Sequence, residues 1–106
     1  MLKKRMLDEI VLKIVNNYKP EKLLLFGSYA SETETESSDL DLLVIKNNNL
    51  PRYKRSREVR AFLRGILFPM DIIVYTPEEI KKWKNVKHSF IHNVLNSCEV
   101  LYEREI

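Results

Sequence analysis

Three short apolar segments constrain the fold of this chain more than any other feature of its sequence. They are residues 22–26 (KLLLF), 39–45 (DLDLLVI) and 70–76 (MDIIVYT). Each is too short for an amphipathic helix and is rich in aliphatic, β-branched or aromatic residues, which is typical of buried strands. A polar stretch, SYASETETESS, separates the first two, and a longer segment with helical spacing separates the second from the third, while further helical segments precede and follow the three. This alternation predicts an α/β (α+β) fold in which a small mixed β-sheet is flanked by helices.

Two helices are predicted in the first two thirds of the chain. Residues 2–17 carry apolar side chains at helical spacing, and Pro20 follows them. A second helix is expected from Pro51 onward, with Gly65 as its cap. Its apolar stripe consists of Val59, Phe62, Leu63 and Ile66. The chain has two glycines, so both are expected where the backbone needs the freedom that glycine allows.

The last third predicts two more helices and an edge strand. Thr76 is expected to cap a helix that has Pro77 at its first position, and Glu79 completes a capping box. A final helix is predicted from Ser89, and residues 99–103 are expected to add a short strand at the edge of the sheet.

Composition sets the class of protein. A chain of 106 residues fits one domain spanning residues 1–106. Cys98 is the single cysteine, so an internal disulfide is excluded, which agrees with a reducing cytosol. No apolar stretch approaches the roughly 20 residues needed to cross a bilayer. We therefore predict a soluble, cytoplasmic protein that makes no use of a membrane.

The charges are segregated along the sequence. The formal net charge is only +3, but residues 52–64 are basic with Glu58 as their single acid, whereas residues 32–41 are strongly acidic. A charged helix face is most often simply solvated. The alternatives are docking to an acidic partner or contact with phosphates of a nucleotide or RNA. Trp83 is expected to pack in the core, with a partner contact as the alternative.

Three aspartates form a pattern that can hold metal ions. Asp39 and Asp41 are two residues apart on a predicted strand, so both carboxylates project from one face. Such a pair repels unless a cation neutralises it, and Mg²⁺ favours carboxylate oxygens together with substrate phosphates. Asp71 opens the next strand. If that strand lies beside the second, the three carboxylates make a site for two metal ions of the kind used in phosphoryl displacement.

A glycine-serine pair supplies the complementary part of the site. Gly27 and Ser28 directly follow the first predicted strand. If a short helix begins there, its N–H groups face an incoming phosphate, Gly27 permits close backbone approach and Ser28 adds a hydroxyl donor. Taken singly, Ser28 as a helix cap and Asp71 as an exposed strand-end acid are the more ordinary interpretations. The combined spacing favours a catalytic site.

The segment that joins these parts resembles a known family. Residues 23–44, LLLFGSYASETETESSDLDLLV, are similar to the signature of minimal nucleotidyltransferases, the stand-alone domains of the DNA polymerase β superfamily. The shared pattern is Gly-Ser, ten intervening residues, Asp-x-Asp and an apolar strand. MDIIV supplies the third acid as Asp71, and the ending SFIHNVLNSCEVLYE is also similar, so the likeness covers nearly the whole chain.

This resemblance implies a nucleotidyltransferase fold and a set of roles for the residues that match the motif. Asp39 and Asp41 would bind Mg²⁺, in a site that takes two ions, and Asp71 would bind metal or act as the base on an acceptor hydroxyl. The expected donor is ATP, with another nucleoside triphosphate as the alternative. Its phosphates would lie against Gly27, Ser28 and Ser38.

The resemblance also implies a partner. Many such domains accompany a helical HEPN protein and act as its antitoxin, in some cases by adenylylating one of its tyrosines. A homodimer stays open, and a nucleic-acid acceptor is less favoured. Ser31-Glu32 stands where the family usually has Arg-Gly, which favours the alternative of a catalytically weak or inactive module that binds its partner stoichiometrically. A third alternative is transfer to a small hydroxyl compound, although so short a chain leaves little surface for its pocket.

Overall fold

The computed structural model describes residues 2–105 and contains one four-stranded sheet. Its strands are β1 (Lys22–Phe26), β2 (Leu40–Ile45), β3 (Met70–Tyr75) and β4 (Glu99–Glu103), in the order β3-β2-β1-β4. β1 runs antiparallel to both β2 and β4, whereas β2 and β3 are parallel. The predicted mixed sheet is therefore confirmed, and β4 occupies the edge that was expected of it.

Five helices accompany the sheet in this part of the chain. They are α1 (Lys4–Tyr18), α2 (Ser28–Ser31), α3 (Arg52–Ala61), α4 (Pro77–Trp83) and α5 (Phe90–Ser97). The predicted capping box forms, since the Glu79 N–H donates to the Thr76 hydroxyl at 3.2 Å and the Thr76 N–H donates to the Glu79 carboxylate at 2.8 Å. None of these helices is both long and apolar enough to cross a bilayer.

The two faces of the sheet are covered by different helices. Side chains alternate along a strand, so Leu42 and Val44 of β2 face a core shared with α1 and α3, and Leu43 and Ile45 face a second core under α5. Asp41 lies two residues before Leu43 on β2, so the two side chains project from the same face of the sheet. Asp41 is therefore on the α5 face, beyond the end of the apolar core on that side.

The end of α3 differs from the prediction. The helix ends at Ala61, Phe62 is its C-cap, and the expected stripe beyond it continues through turns. The Phe62 and Leu63 N–H groups bond back to Val59 and Arg60, three residues away, which is the tightening typical of a helix end. Gly65 does have a positive φ of 93°, but it lies in the turn beyond the helix and does not cap it.

Arg55 in the basic stretch is buried, which departs from the expected solvated face. It is 6% exposed and donates to the Leu50 carbonyl at 2.7 Å and the Val74 carbonyl at 3.2 Å. It also forms an ion pair with Glu79 at 2.6 Å. Part of this charged segment therefore serves to join α3 to β3 and α4.

Candidate active site

The parallel pairing of β2 with β3 decides where the acidic side chains lie. Asp41 and Asp71 are opposite each other in the register, so they sit at the same level on neighbouring strands and share a face of the sheet. Asp39 is exposed and comes two residues before Asp41, immediately ahead of β2. The sequence analysis required that the strand carrying Asp71 lie beside the strand carrying Asp41. The pairing of β3 with β2 meets this condition.

Gly27 lies against the carboxylate of Asp41. The antiparallel register of β1 and β2 pairs Phe26 with Asp41, which brings the turn after β1 to this acid. A Cβ atom added to Gly27 would lie only 2.1 Å from the Asp41 Oδ2 atom. Gly27 also has φ 75° and ψ −155°, a combination that residues with a side chain rarely adopt. Glycine is thus required here both by the backbone conformation and by the contact with Asp41.

The predicted short helix begins directly after this glycine. α2 is a single turn, and the N–H groups of Ala30 and Ser31 both donate to the Gly27 carbonyl at 3.1 Å. The Ser31 hydroxyl bonds to the same carbonyl at 3.2 Å, so it belongs to the local turn. The Ser38 hydroxyl accepts the Thr35 N–H at 2.8 Å and closes the loop that leads to β2. The phosphate contacts expected of Ser28 and Ser38 stay predictions.

The electrostatics of Asp41 set it apart from the other carboxylates. Burial raises the pKa of this carboxyl above its ordinary value of 3.8, and the negative charges of Asp71 and then Asp39 raise the pKa further. All three causes penalise the ionised form. An added cation would act in the opposite direction, because it stabilises a carboxylate beside it.

The donor set fits Mg²⁺. Asp41 and Asp71 offer hard oxygen ligands side by side, and Mg²⁺ is commonly held by one or two carboxylates while water and substrate phosphates complete its shell. Within residues 2–105, no three His, Cys, Asp or Glu side chains are grouped closely enough to hold an ion by themselves. Mutual repulsion keeps carboxylates apart when no cation is between them. The site for two ions stays a prediction.

An aromatic side chain that the sequence did not place near the site contacts Phe26, the residue that precedes Gly27. Phe90, the first residue of α5, has its ring centroid 5.6 Å from that of Phe26, the neighbour of Asp41 in the register. The same ring stacks on Tyr75 with centroids 6.0 Å apart. Helical spacing identified Phe90 as part of the last helix, but nothing in the sequence indicated which strand ends that helix would meet.

A cavity of about 340 Å³ lies at the other end of the sheet and is separate from the acids. Ile45, Pro77 and Ile80 contribute its apolar lining. Ile45 is four residues beyond Asp41 on β2, or about 13 Å at the usual strand rise of about 3.3 Å per residue. Neither Gly27 nor any of the three aspartates lines this cavity, so it does not contribute to the candidate active site.

Comparison with known proteins gives the family. The model described as "Polymerase beta, Nucleotidyltransferase" matches residues 9–106. The chain belongs to the polymerase β nucleotidyltransferase family. This confirms the resemblance read from the sequence, and the matched range contains the Gly-Ser turn and the three aspartates.

Relatives of this nucleotidyltransferase come from Methanocaldococcus jannaschii. "Putative protein adenylyltransferase MJ0604" is 30% identical over 105 residues, covering 96% of this chain and 100% of that protein. "Putative protein adenylyltransferase MJ1305" is 31% identical over 107 residues, covering 93% of this chain and 71% of that protein. "Putative protein adenylyltransferase MJ1379" is 40% identical over 53 residues, which is 49% of this chain and about half (53%) of that protein.

A solved structure confirms the fold of the nucleotidyltransferase domain. The crystal structure of a "putative nucleotidyltransferase from Sulfolobus solfataricus" aligns with a TM-score of 0.65 and 22% sequence identity. The alignment covers 94% of this chain and 79% of that one.

Proposed function

We propose that the protein is a Mg²⁺-dependent adenylyltransferase that moves AMP from ATP to a hydroxyl group of another protein. The observation that carries this proposal is the in-register pair Asp41 and Asp71, with the Gly27 backbone in contact with Asp41. Three relatives bear the name "Putative protein adenylyltransferase", which supports both the donor and the class of acceptor.

The residues divide the work of the transfer between them. Gly27, which carries no side chain, lets the phosphate tail approach the backbone, and the Ser28 hydroxyl donates to it. Asp39 and Asp41 would hold the cation. When bound, Mg²⁺ polarises the phosphate oxygens and offsets the negative charge that develops on them. Asp71 is exposed at the start of edge strand β3, where it can take the proton of an incoming hydroxyl.

In the proposed transfer one bond to the α-phosphorus forms as another breaks. A bond forms between the acceptor oxygen and the α-phosphorus, and the bond from that phosphorus to the bridging oxygen breaks. The electron pair leaves with pyrophosphate, and the acceptor proton passes to Asp71 and then to solvent. Because Asp71 sits on an edge strand, a hydroxyl presented by a second molecule can reach it.

The favoured acceptor is a tyrosine of a helical HEPN partner, in which case the protein acts as the antitoxin of that partner. A protein acceptor brings its own binding surface, so the small domain needs no pocket to enclose it. This is the reason for preferring it to a small hydroxyl compound. A second copy of the chain is the alternative partner.

The test is transfer of label from α-labelled ATP, in the presence of Mg²⁺, to a HEPN protein encoded beside this chain. Asp41→Asn and Asp71→Asn should each lower transfer by about 10³-fold, since several kcal/mol of charge stabilisation or proton transfer is lost. Asp8→Asn, an exposed acid on α1, is the matched control and should transfer as the wild type does. A wild-type rate in Asp41→Asn would refute the proposed catalysis.

One observation favours a second candidate, a module that inhibits its partner by binding alone. Glu32 ends α2 with a φ of 60° and is exposed, so it adds a negative charge near the Gly27 turn where a triphosphate would have to bind. A partner-neutralisation assay distinguishes the two functions. Asp41→Asn should neutralise the partner as well as the wild type does if binding alone is sufficient, and should fail if adenylylation is required.

A further inference from the structure

A basic surface with an exposed leucine lies on the β3 side of the acids. It consists of Arg60 in the last turn of α3 and of Arg64 and Leu67 in the connection from α3 to β3. We propose that this surface, the basic platform, docks an acidic segment of the protein that carries the acceptor hydroxyl. The proposal rests on the proposed function, because it assigns where the acceptor of that same transfer binds.

A direct contact joins the basic platform to the acid-bearing strand. The Arg60 Nη2 atom donates to the Met70 carbonyl at 3.1 Å, and Met70 directly precedes Asp71 on β3. The connection from α3 is fixed at the same end of the sheet, because the Leu40 N–H at the start of β2 donates to the Pro69 carbonyl at 2.9 Å. A segment bound to the platform is therefore held close to Asp71.

The basic platform carries positive charge that the fold does not pair. Arg60 and Arg64 are exposed, and neither forms an ion pair within residues 2–105. The bond from Arg60 to Met70 engages one nitrogen of a guanidinium that has five N–H donors. Arg55 on the same helix is the contrast, since it is buried and paired with Glu79. Exposed guanidinium groups of this kind bind carboxylates through two parallel hydrogen bonds.

Leu67 gives the basic platform an apolar centre. Its side chain is 94% exposed, the largest value among the big hydrophobic residues of the described chain, and it lies three residues after Arg64 and four before Asp71. Trp83, which was expected in the core, is 37% exposed and so only partly packed. A leucine beside arginines matches a protein surface, which offers carboxylates together with apolar side chains.

Nucleic acid fits the basic platform less well. Single-stranded RNA is held by cations together with aromatic side chains on which its bases stack. The exposed aromatic of α3 is Tyr53, in the first turn of that helix. It lies seven residues before Arg60, or about 10 Å at the helical rise of about 1.5 Å per residue. The cations nearest the acids therefore have an apolar neighbour, Leu67, in place of a stacking surface.

The edge of β3 is not open to a further strand. The Met70 carbonyl accepts from Arg60 at 3.1 Å, and the Val74 carbonyl accepts from Arg55 at 3.2 Å. An extended segment that joined the sheet would need carbonyls of this edge for its own N–H groups. The acceptor protein is therefore recognised through its side chains.

Opposite charges on the two sides of the acids set the direction of approach. Residues 32–36, between the Gly27 turn and β2, contain three glutamates, whereas the basic platform lies on the β3 side. In-line displacement requires the incoming oxygen to lie opposite the leaving pyrophosphate. With the phosphate tail at Gly27, beyond β1, the acceptor must come from the side of β3. An acidic segment is repelled by residues 32–36 and attracted to the platform, so it arrives at Asp71.

The test measures transfer from α-labelled ATP with Mg²⁺ as the concentration of the HEPN protein is varied. Arg64→Glu should raise the KM for that protein by about tenfold and Leu67→Ser by about fivefold, with the loss in KM rather than kcat, because docking is weakened. Arg60→Gln keeps a donor for the Met70 carbonyl but removes the charge, and should also raise KM. Lys81→Glu makes the same charge change as Arg64→Glu, at an exposed residue of the cavity at the other end of the sheet, and should leave KM unchanged.

The labelled residue tests the chemistry of the partner. Mass spectrometry of the product should place the AMP on a hydroxyl side chain with Asp or Glu beside it on the acceptor surface. Replacing those acids by Lys should raise KM for the wild type, and combining that acceptor with Arg64→Glu should lower KM again. Added salt should raise KM in the wild type more than in Arg64→Glu. A label on a segment without acids would overturn the proposal.

The outcomes separate the basic platform from the proposed function. If the wild type labels the HEPN protein and the Arg60, Arg64 and Leu67 variants keep its KM, the platform is not the docking surface and the proposed function stands. Loss of single-stranded RNA binding in these variants, with transfer unchanged, would make the platform a nucleic-acid surface instead. If the wild type labels neither the HEPN protein nor a second copy of the chain, the proposed function fails and the docking proposal fails with it.

Discussion

Two regions of the molecule remove carboxylates from water in opposite ways. Glu79, at the start of α4, is surrounded by donors, whereas Asp41, on β2, is surrounded by other acids. Both carboxylates are only partly exposed. What differs is whether the neighbouring groups stabilise the charge or oppose it.

The Glu79 region satisfies its charge within the protein. Burial by itself raises the pKa of Glu79, but the hydrogen bond from Arg55, the Thr76 N–H and the charges of Arg55 and Arg52 outweigh it and lower the pKa from 4.5 to about 2. These contacts join α3, the end of β3 and the first turn of α4. The region therefore stabilises the fold, because the Glu79 carboxylate is paired within the protein.

The Asp41 region does the reverse. Its carboxylate gains no hydrogen bond from within residues 2–105 that would offset burial, and the charges of Asp71 and Asp39 raise its pKa further. Such an arrangement costs stability in the free protein, and a bound proton or a bound cation relieves that cost. Charges that are paired within the protein therefore stabilise the fold, whereas the like charges that repel one another mark the candidate active site.

The largest expected change in stability comes from removing the buried cation of the first region. Arg55→Leu should lower the free energy of unfolding by about 3 kcal/mol, because it removes the closest cation of the partly buried Glu79 and leaves two backbone carbonyls without this donor. Urea or thermal denaturation measures this. Arg57→Leu, an exposed neighbour on α3, should change stability by less than about 0.5 kcal/mol. Equal losses in the two variants would show that Arg55 has no special structural role.

A smaller loss is expected where backbone and acid meet in the second region. Gly27→Ala should cost about 2 kcal/mol from its positive φ and its contact with Asp41, and it should also abolish nucleotide transfer. Gly65→Ala is the matched control, because Gly65 has φ 93° but no atom within 4 Å of an added Cβ. Gly27→Ala should therefore cost more than Gly65→Ala.

A second-site change isolates that contact. In an Asp41→Ala background the Asp41 carboxylate is gone, so Gly27→Ala should cost less than it does in the wild type, and the cost that remains comes from the backbone conformation. If Gly27→Ala costs the same in both backgrounds, the side chain of Asp41 does not determine the need for glycine, and the backbone conformation alone does.

Short-range chemistry made much of the fold predictable from the sequence. The capping box at Thr76 and Glu79 spans four residues, and the composition of each strand was sufficient to predict it. The boundaries shifted only slightly, as when β2 begins at Leu40, just after Asp39. The two-residue spacing of Asp39 and Asp41 likewise needed no tertiary information.

Contacts between distant segments were not predictable in the same way. Arg55 reaches Val74 and Glu79, which are 19 and 24 residues away, so its burial cannot be read from the pattern of α3. The contact of Phe90 with Phe26 depends on how α5 crosses the sheet. For Asp71 the prediction carried a condition, that its strand pairs with β2, and the structure shows that the condition is met.

Acid should weaken the first region more than the second. The Glu79 carboxyl has a lower pKa in the folded state than its ordinary 4.5, so its contribution to stability is complete above pH 4.5 and is lost as the pH falls toward about 2. The expected loss is about 1 kcal/mol, since part of the carboxylate is solvated and its ion pairs are screened. Stability measured from pH 6 to 2 should fall less steeply in Glu79→Gln than in the wild type.

The smallest effect has the opposite sign and belongs to the second region. The pKa of Asp41 is raised above 3.8 in the folded state, so folding favours its protonated form, and stability is lost as the pH rises from 3.8 through the raised pKa. Asp41→Asn should therefore raise the melting temperature slightly at pH 7 in EDTA, by the equivalent of less than about 1 kcal/mol. The gain should vanish below pH 3.8, where Asp41 is neutral in both states.

Magnesium provides the control for this last prediction. A cation bound by Asp41 stabilises the wild type by mass action and does little for Asp41→Asn, so saturating Mg²⁺ should reduce or reverse the advantage of the variant. If the variant is instead less stable than the wild type at pH 7 in EDTA, the carboxylate stabilises the free fold. The contrast between a satisfied Glu79 and an opposed Asp41 would then be wrong.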